Sequence, residues 1–158
     1  MKIVADENIP YAVEAFSTLG VVEVISGRRA TPETFRDCDL FFCRSVTKVN
    51  EALLGESPVR FVATATIGTD HVDTEFLFRR GIGFGSAPGS NANSVAEYLV
   101  AALLVLADRR GWELEGKTIG VVGVGNVGSR VVRKAEALGM RVLQTDPPLA
   151  RQTGDPRF

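Results

Sequence analysis

The chain has 158 residues, of which 45% are hydrophobic and 23% are charged, a composition typical of a folded globular protein with an apolar core. The formal net charge is −1 and no basic block occurs, which argues against nucleic acid and against an anionic membrane surface as partners. The longest apolar run, residues 99–107, is too short to cross a bilayer, and the acidic Asp6 follows Met1 too closely for a signal peptide, so we expect a cytoplasmic protein.

The first ninety residues alternate short apolar runs with short helical patterns. Such alternation predicts an α/β domain with a parallel sheet and helices on both faces, here a flavodoxin-like domain over residues 1–90. Cys38 and Cys43 lack the spacing of a zinc site, so we expect buried, reduced thiols and no metal. The predicted elements are strands at residues 2–5, 21–25, 39–43, 60–65 and 81–85, and helices near residues 10–19, 51–54 and 74–80.

Residues 87–93 are rich in turn formers and predict a boundary. Ser94 and Glu97 have the spacing of a capping box, which predicts the start of a helix. Residues 95–107 of that helix are apolar on nearly all sides, so we expect it to be buried between larger bodies. Gly111 is expected to end the helix.

Residues 117–146 have the pattern of a strand, a glycine turn, a helix, a second strand and an acid. The apolar run 117–122 precedes the turn GVGNVG at residues 123–128, and the run 141–145 ends at Asp146. Between them, four apolar residues share one helical face: Val127, Val131, Ala135 and Leu138. Together these features form the dinucleotide-binding fingerprint, which predicts the first βαβ unit of a Rossmann NAD-binding domain within residues 91–158.

Each residue of this fingerprint has a physical task. Gly123 permits the tight turn, Gly125 leaves room for a pyrophosphate near the backbone, and Gly128 allows close packing of the helix on the strand. Asp146 follows at about the twenty-residue spacing from which a carboxylate reaches both ribose hydroxyls, and it would repel the 2′-phosphate of NADP. Arg151 lies close enough to leave that preference open, and the glycines alone are also compatible with a strand-to-helix turn that binds nothing.

Four segments resemble the D-isomer-specific 2-hydroxyacid dehydrogenase family, and the third resembles the branch that acts on phosphorylated erythronate. The segments are residues 6–11 (DENIPY), 44–50 (RSVTKVN), 63–73 (ATATIGTDHVD) and 116–128 (GKTIGVVGVGNVG). The resemblance implies oxidation of 4-phospho-D-erythronate to 3-hydroxy-2-oxo-4-phosphobutanoate with NAD, on the route to pyridoxal phosphate. It also implies that residues 1–90 form the substrate-binding domain. The cofactor-binding residues that we predict are Gly123, Gly125, Asn126, Val127, Gly128 and Asp146.

The same resemblance assigns Ser45 and Thr66 to the substrate, together with backbone amides near Gly68. Both residues follow predicted strands, so both are expected at the ligand-binding edge of a parallel sheet. Their spacing alone also allows a different interpretation, in which each caps the helix that follows it. Arg44 and Lys48 flank the first site and would either add positive potential or remain solvated.

The family's catalytic arginine, acid and histidine belong to a second domain that this sequence does not contain, so we expect the chain to be a truncated, inactive part of an enzyme with no catalytic residue of its own. His71 is the one histidine, and we interpret it as a polar residue hydrogen-bonded at a helix start. Two alternatives remain: an NAD-binding module without catalysis, completed by forming a homodimer, and a dehydrogenase of another D-2-hydroxy acid.

Overall fold

The computed structural model describes all of residues 1–158, which form two compact units, Met1–Ala87 and Pro88–Phe158. The first unit contains five strands and three α-helices, in the chain order β1 (Lys2–Asp6), α1 (Ala12–Phe16), β2 (Val21–Ile25), β3 (Leu40–Cys43), α2 (Glu51–Leu54), β4 (Phe61–Thr64), α3 (Thr74–Arg79) and β5 (Gly83–Gly85). Two short 3₁₀ helices, Gly27–Arg29 and Pro32–Phe35, lie between β2 and β3.

The five strands form one sheet in the order β2-β1-β3-β4-β5, and every neighbouring pair is parallel. This order is the flavodoxin-like one, so the predicted fold class is confirmed for the first unit. In such a sheet the carboxyl ends of β1, β3 and β4 lie along one edge. That edge is where ligands bind in open α/β sheets.

Burial in the first unit follows the apolar runs of the three central strands. Ile3, Val4, Phe41 and Val62 are fully buried, as expected for parallel strands that are covered on both faces. Cys38 and Cys43 are also fully buried and unbridged, which confirms the expectation of reduced thiols. The core cluster includes Phe35, Leu54, Phe76, Leu77 and Ile82 from the helices and loops around the sheet.

The second unit contains α4 (Ala92–Arg110), β6 (Thr118–Val122), α5 (Gly128–Ala137), β7 (Arg141–Thr145) and α6 (Pro147–Thr153). β6 and β7 pair in parallel, with Thr118 opposite Arg141, and α5 is the crossover between them. The face of α5 that carries Val131, Val132 and Ala135 is buried. The predicted βαβ unit is therefore present.

Two expectations for α4 are wrong. The helix begins at Ala92, before Ser94, and its N-cap residue Asn91 makes no side-chain capping bond, so the capping box does not form. Glu97 instead accepts a hydrogen bond from Asn93 Nδ2 at 2.7 Å. The helix is also not buried on all sides: within this unit α5 packs along one side of it, and Tyr98 remains 77% exposed.

The chain contains no helix that combines the length and the apolar character of a membrane span.

The helix α6 was not predicted. Its N-cap is Asp146, and two prolines occupy its first positions, where the missing amide hydrogen of proline costs no helical hydrogen bond.

Candidate functional site

The glycine turn of the second unit leaves β6 through a backbone conformation that favours glycine. Gly123 has φ of +84°, in the left-handed region where side chains with a Cβ are strained. Its N–H donates to Thr145 O at 2.8 Å, which extends the pairing of β6 with β7 by one bond. The turn is thus fixed against the end of β7, where Asp146 follows.

Gly128 and Gly125 lack side chains for different reasons. A Cβ built on Gly128 would lie 1.9 Å from the carbonyl oxygen of Gly123, so close packing of α5 on the turn requires glycine there. A Cβ built on Gly125 would meet no atom within 4 Å. A strand-to-helix turn that binds nothing therefore explains Gly123 and Gly128 but does not explain Gly125, which faces open space.

The start of α5 offers free hydrogen-bond donors. The amides of Asn126, Val127 and Gly128 donate to no backbone carbonyl of the chain, as is usual at a helix N-terminus. Arg130 lies one turn further on, and its guanidinium donates to the carbonyl oxygen of Asn126. Because unpaired amides and the helix dipole favour negative charge, this end of α5 is suited to a phosphate group.

Asp146 links the glycine turn to α6. Its Oδ2 accepts the N–H of Val124 at 2.8 Å, and its Oδ1 accepts the N–H of Leu149 at 3.0 Å. The bond from Leu149, followed by the bond from Val124, lowers the pKa of the Asp146 carboxyl below its ordinary value. A carboxylate accepts about four hydrogen bonds, so the group retains capacity for ligand hydroxyls. The sequence located Asp146 but did not reveal that it is also a helix cap.

Ser45 and Thr66 lie at the same edge of the sheet in the first unit. β3 and β4 are adjacent and parallel, with Cys43 opposite Thr64. Ser45 and Thr66, which follow these strands, therefore both lie at the carboxyl-terminal edge of the sheet. Neither residue caps a helix, because Asn50 caps α2 and Asp73 caps α3. The helix-capping interpretation of this pair is therefore wrong, and Ser45 is exposed with its hydroxyl free for a ligand.

Thr66 belongs to a small hydrogen-bonded group that the sequence did not identify. Its Oγ1 lies 2.7 Å from Thr64 Oγ1 and 3.4 Å from the carbonyl oxygen of Gly68. Thr64 Oγ1 in turn lies 3.0 Å from His71 Nε2. His71 is buried and bonded to Thr64 at the end of β4, two residues before Asp73 caps α3, so it is a hydrogen-bonded polar residue close to a helix start, as expected. The alternation Thr-Ala-Thr at residues 64–66, which places both hydroxyls on one side, was the available signal.

Arg44 is held at this edge by an acid from β1. Its Nη1 lies 3.6 Å from Oδ1 of Asp6, whose side chain is 1% exposed, so Arg44 is not freely solvated. Lys48 is exposed. A cavity of about 260 Å³ opens beside this ion pair and is lined by residues from the ends of β1, β2 and β3, among them Asp6, Ser26, Arg28 and Arg44.

Comparisons with known proteins agree with this architecture. Residues 3–146 match the family model described as D-isomer specific 2-hydroxyacid dehydrogenase, catalytic domain. The chain is 53% identical over all 158 residues to an erythronate-4-phosphate dehydrogenase of Salmonella arizonae and 54% identical to one of Salmonella paratyphi B, and it spans 42% of the length of each.

Among solved structures, NAD⁺-bound 3-phosphoglycerate dehydrogenase of Entamoeba histolytica is similar with a TM-score of 0.71 and 30% identity. The similarity covers 93% of this chain and 54% of that one. The glycine turn, the acid at the end of β7 and the extent of these matches lead to one conclusion: the chain belongs to the D-isomer-specific 2-hydroxyacid dehydrogenase family.

Proposed function

We propose that this chain supplies the substrate-binding domain and the adenosine-binding unit of an NAD-dependent dehydrogenase for 4-phospho-D-erythronate. The product would be 3-hydroxy-2-oxo-4-phosphobutanoate, an intermediate on the route to pyridoxal phosphate. The observation that carries the proposal is the 53–54% identity to erythronate-4-phosphate dehydrogenases along the whole of this chain. These relatives are about twice as similar to it as the solved dehydrogenases of other hydroxy acids, at 20–30%.

The second unit fits an NAD molecule. Gly125 leaves open space beside the turn, the amides at the start of α5 are free to donate to a pyrophosphate, and the Asp146 carboxylate is anionic. An anionic acceptor at this position favours ribose hydroxyls and disfavours a 2′-phosphate, which supports NAD over NADP. Bound NAD would accept a hydride from the substrate. The chain's own part is to hold the adenosine end.

The first unit fits a hydroxy acid that carries two anionic groups. The hydroxyls of Ser45 and Thr66 and the amides that follow Thr66 are donors suited to a carboxylate. Arg28 and Arg44 lie beside a cavity at the ends of β2 and β3, where Asp6 and Glu7 offset their positive charge. We infer that no residue of this chain acts as the catalytic base. Its one histidine, His71, is 8% exposed and bonded to Thr64.

The proposal is tested with a full-length dehydrogenase whose first 158 residues are this chain. We expect kcat/KM for 4-phospho-D-erythronate to exceed that for D-lactate and D-glycerate by about 100-fold or more. The smaller acids lack the phosphate, so the groups of the site that bind it would be left unpaired. Thr66→Val should lower kcat/KM for phosphoerythronate about tenfold, as expected for loss of one hydrogen bond to a charged group.

The other outcomes identify the alternatives. If the enzyme prefers D-lactate or D-glycerate, the proposed substrate is wrong, and the protein is a dehydrogenase of another D-2-hydroxy acid. The residue 1–158 chain alone is expected to bind NAD without turnover. If the full-length protein also binds NAD but oxidises none of the three acids, it is a cofactor-binding module and the proposed function is wrong.

A further inference from the structure

His71 is buried beside the sheet edge that carries Thr66 and has no assigned role. The ring is 8% exposed, and its position is fixed because the backbone carbonyl of His71 accepts the N–H of Val49 at 2.8 Å. Its Nε2 lies 3.0 Å from Thr64 Oγ1, whereas its Nδ1 is buried without any partner. One ring nitrogen is therefore bonded and the other is not.

This asymmetry indicates which nitrogen carries the hydrogen. A neutral imidazole has one N–H donor and one acceptor nitrogen. A hydrogen on Nδ1 would bury an unpaired N–H, and orphaned buried N–H groups are rarer than orphaned acceptors. The pattern favours the tautomer with hydrogen on Nε2, in which His71 donates to the hydroxyl oxygen of Thr64.

The direction of the remaining bonds follows from the Thr64 hydroxyl. Its oxygen accepts from His71 Nε2 and from the N–H of Thr66 at 3.3 Å, which uses both of its acceptor sites. Its single hydrogen is then directed to Thr66 Oγ1, 2.7 Å away, which is a stronger acceptor than the Cys43 sulfur that the hydroxyl also contacts. Thr66 Oγ1 is thereby an acceptor toward Thr64, and its own hydrogen is left for an acceptor other than Thr64.

The hydroxyl hydrogen of Thr66 has only a weak partner within the chain, the carbonyl oxygen of Gly68 at 3.4 Å. A substrate oxyanion would be a better acceptor for it, because hydrogen bonds to ionised groups are shorter and stronger than neutral ones. The other contact of Nε2 is the Cys43 thiol at 3.8 Å, and burial raises the pKa of that thiol to about 11, so it stays neutral. The group itself therefore presents one donor and no charge, and the exposed Asp70 lies beside Gly68 in the same loop.

We propose that His71 is a positioning residue: acting through Thr64, it holds the Thr66 hydroxyl as a hydrogen-bond donor toward an oxyanion of the substrate. This inference rests on the proposed contact between Thr66 and a hydroxy-acid substrate. Without the Nε2 donor, the Thr64 hydroxyl is free to reverse, and Thr66 then loses its fixed direction.

The test uses the full-length dehydrogenase that carries this chain, with 4-phospho-D-erythronate and NAD as the assay. His71→Leu removes the donor, and His71→Gln keeps an N–H donor near the position of Nε2. We expect His71→Leu to lower kcat/KM about tenfold and His71→Gln to stay within about threefold of the unaltered enzyme. In a Thr66→Val background, His71→Leu should cause no further loss of kcat/KM, because the coupled hydroxyl is already absent.

A structural role alone would give a different pattern. Leu54→Ala opens a cavity in the same core from α2, which carries no member of the hydrogen-bonded group, and it should lower the thermal midpoint while kcat/KM stays within about threefold. If His71→Leu fails to fold, Thr64→Val removes the bridging hydroxyl at constant shape and should reproduce the tenfold loss.

The outcomes separate the inference from the function on which it rests. Full activity of His71→Leu, or a loss that adds to that of Thr66→Val, overturns the positioning role while Thr66 keeps its place in the substrate site. Full activity of Thr66→Val removes Thr66 from that site and overturns both.

Discussion

At the scale of single residues, Gly125 and Gly128 lie on the same turn and yet lack a side chain for opposite reasons. Packing inside the chain requires Gly128, since a Cβ there would lie 1.9 Å from Gly123 O. Nothing inside the chain requires Gly125, because a Cβ there would meet no atom within 4 Å. The difference separates a contribution to folding from the contribution to cofactor binding that we propose for Gly125.

We therefore predict that alanine substitutions at these two positions have separable effects. Gly128→Ala should lower the free energy of unfolding by about 1–3 kcal/mol, because the helix must shift away from the turn. Gly125→Ala should change it by less than about 0.5 kcal/mol, as for other substitutions into open space. Urea unfolding followed by the fluorescence of Trp112, the one tryptophan, measures both.

Binding measurements complete the comparison. By calorimetric titration of the full-length enzyme, Gly125→Ala should weaken NAD binding about tenfold, because its methyl group occupies the space needed by the pyrophosphate. Unchanged NAD affinity in Gly125→Ala would contradict the assignment of the turn to the cofactor.

The residues of the glycine turn and Asp146 could be located from the sequence because a turn and the helix after it are local structures. The hydrogen bond between His71 and Thr64 could not, because it depends on how the loop after β4 folds back against the strand end. The alternation at residues 64–66 indicated two hydroxyls on one side, but nothing local indicated a histidine as their partner.

At the scale of elements, α6 depends on Asp146 for its start. The carboxylate accepts the N–H of Leu149, and the two prolines that follow Asp146 have no amide hydrogen to satisfy. The Asp-Pro-Pro sequence was a usable signal for this helix. The same acid also completes the dinucleotide fingerprint, so one residue belongs to two local patterns.

This arrangement predicts a dependence on pH. The bonds from Leu149 and Val124 lower the pKa of Asp146 below the ordinary 3.8. The stabilisation that they give is therefore fully present above pH 3.8 and is lost as the pH falls through the lower, folded-state pKa. In an NMR titration, the Asp146 carboxyl carbon should change with a midpoint below 3.8, and the amide protons of Leu149 and Val124 should shift together with it.

The control is Asp146→Asn, in which one side-chain oxygen remains as an acceptor. At neutral pH, at most one of the two amide protons, that of Leu149 or that of Val124, should retain the chemical shift that it has in the unaltered protein. A carboxyl midpoint at or above 3.8 would show that the bonds to the turn and to α6 do not stabilise the ionised form.

The strands and α5 could be predicted from apolar runs and helical periodicity, since both patterns report directly on a buried face. The ends of α4 could not. Asn91 and Ser94 both precede the apolar run, and either can cap a helix. The capping-box spacing favoured Ser94, whereas in the structure Asn91 is the N-cap residue and the first turn includes Ala92 and Asn93. Its apolar periphery predicted burial on all sides, but Tyr98 is 77% exposed and Leu104 is 49% exposed.

At the scale of the whole molecule, the two units differ in how much of their sheet is covered. The first has a five-stranded sheet with fully buried central residues such as Ile3 and Val62. The second has a two-stranded sheet in which Val122 is 86% exposed and Leu143 is 61% exposed. Two paired strands are marginal without further packing, so the second unit is expected to be the less stable one.

Native-state hydrogen exchange followed by mass spectrometry tests this expectation on the residue 1–158 chain. Amides of β1, β3 and β4 should exchange at least about tenfold more slowly than those of β6 and β7, because opening a covered core costs more free energy. The full-length dehydrogenase serves as the comparison, and there β6 and β7 should gain protection. Equal protection of the two sheets in the short chain would contradict the expected difference.

The position of Asp146 has a consequence for protein engineering. A redesign from NAD to NADP would remove the acid that we propose to repel the 2′-phosphate, but removing Asp146 would also release the amides of Val124 and Leu149 and leave α6 without its cap. A redesign toward NADP should therefore start from serine or asparagine at residue 146, which are neutral and still cap helices. Under the proposed role of Asp146, coenzyme choice and local folding depend on one side chain and must be redesigned together.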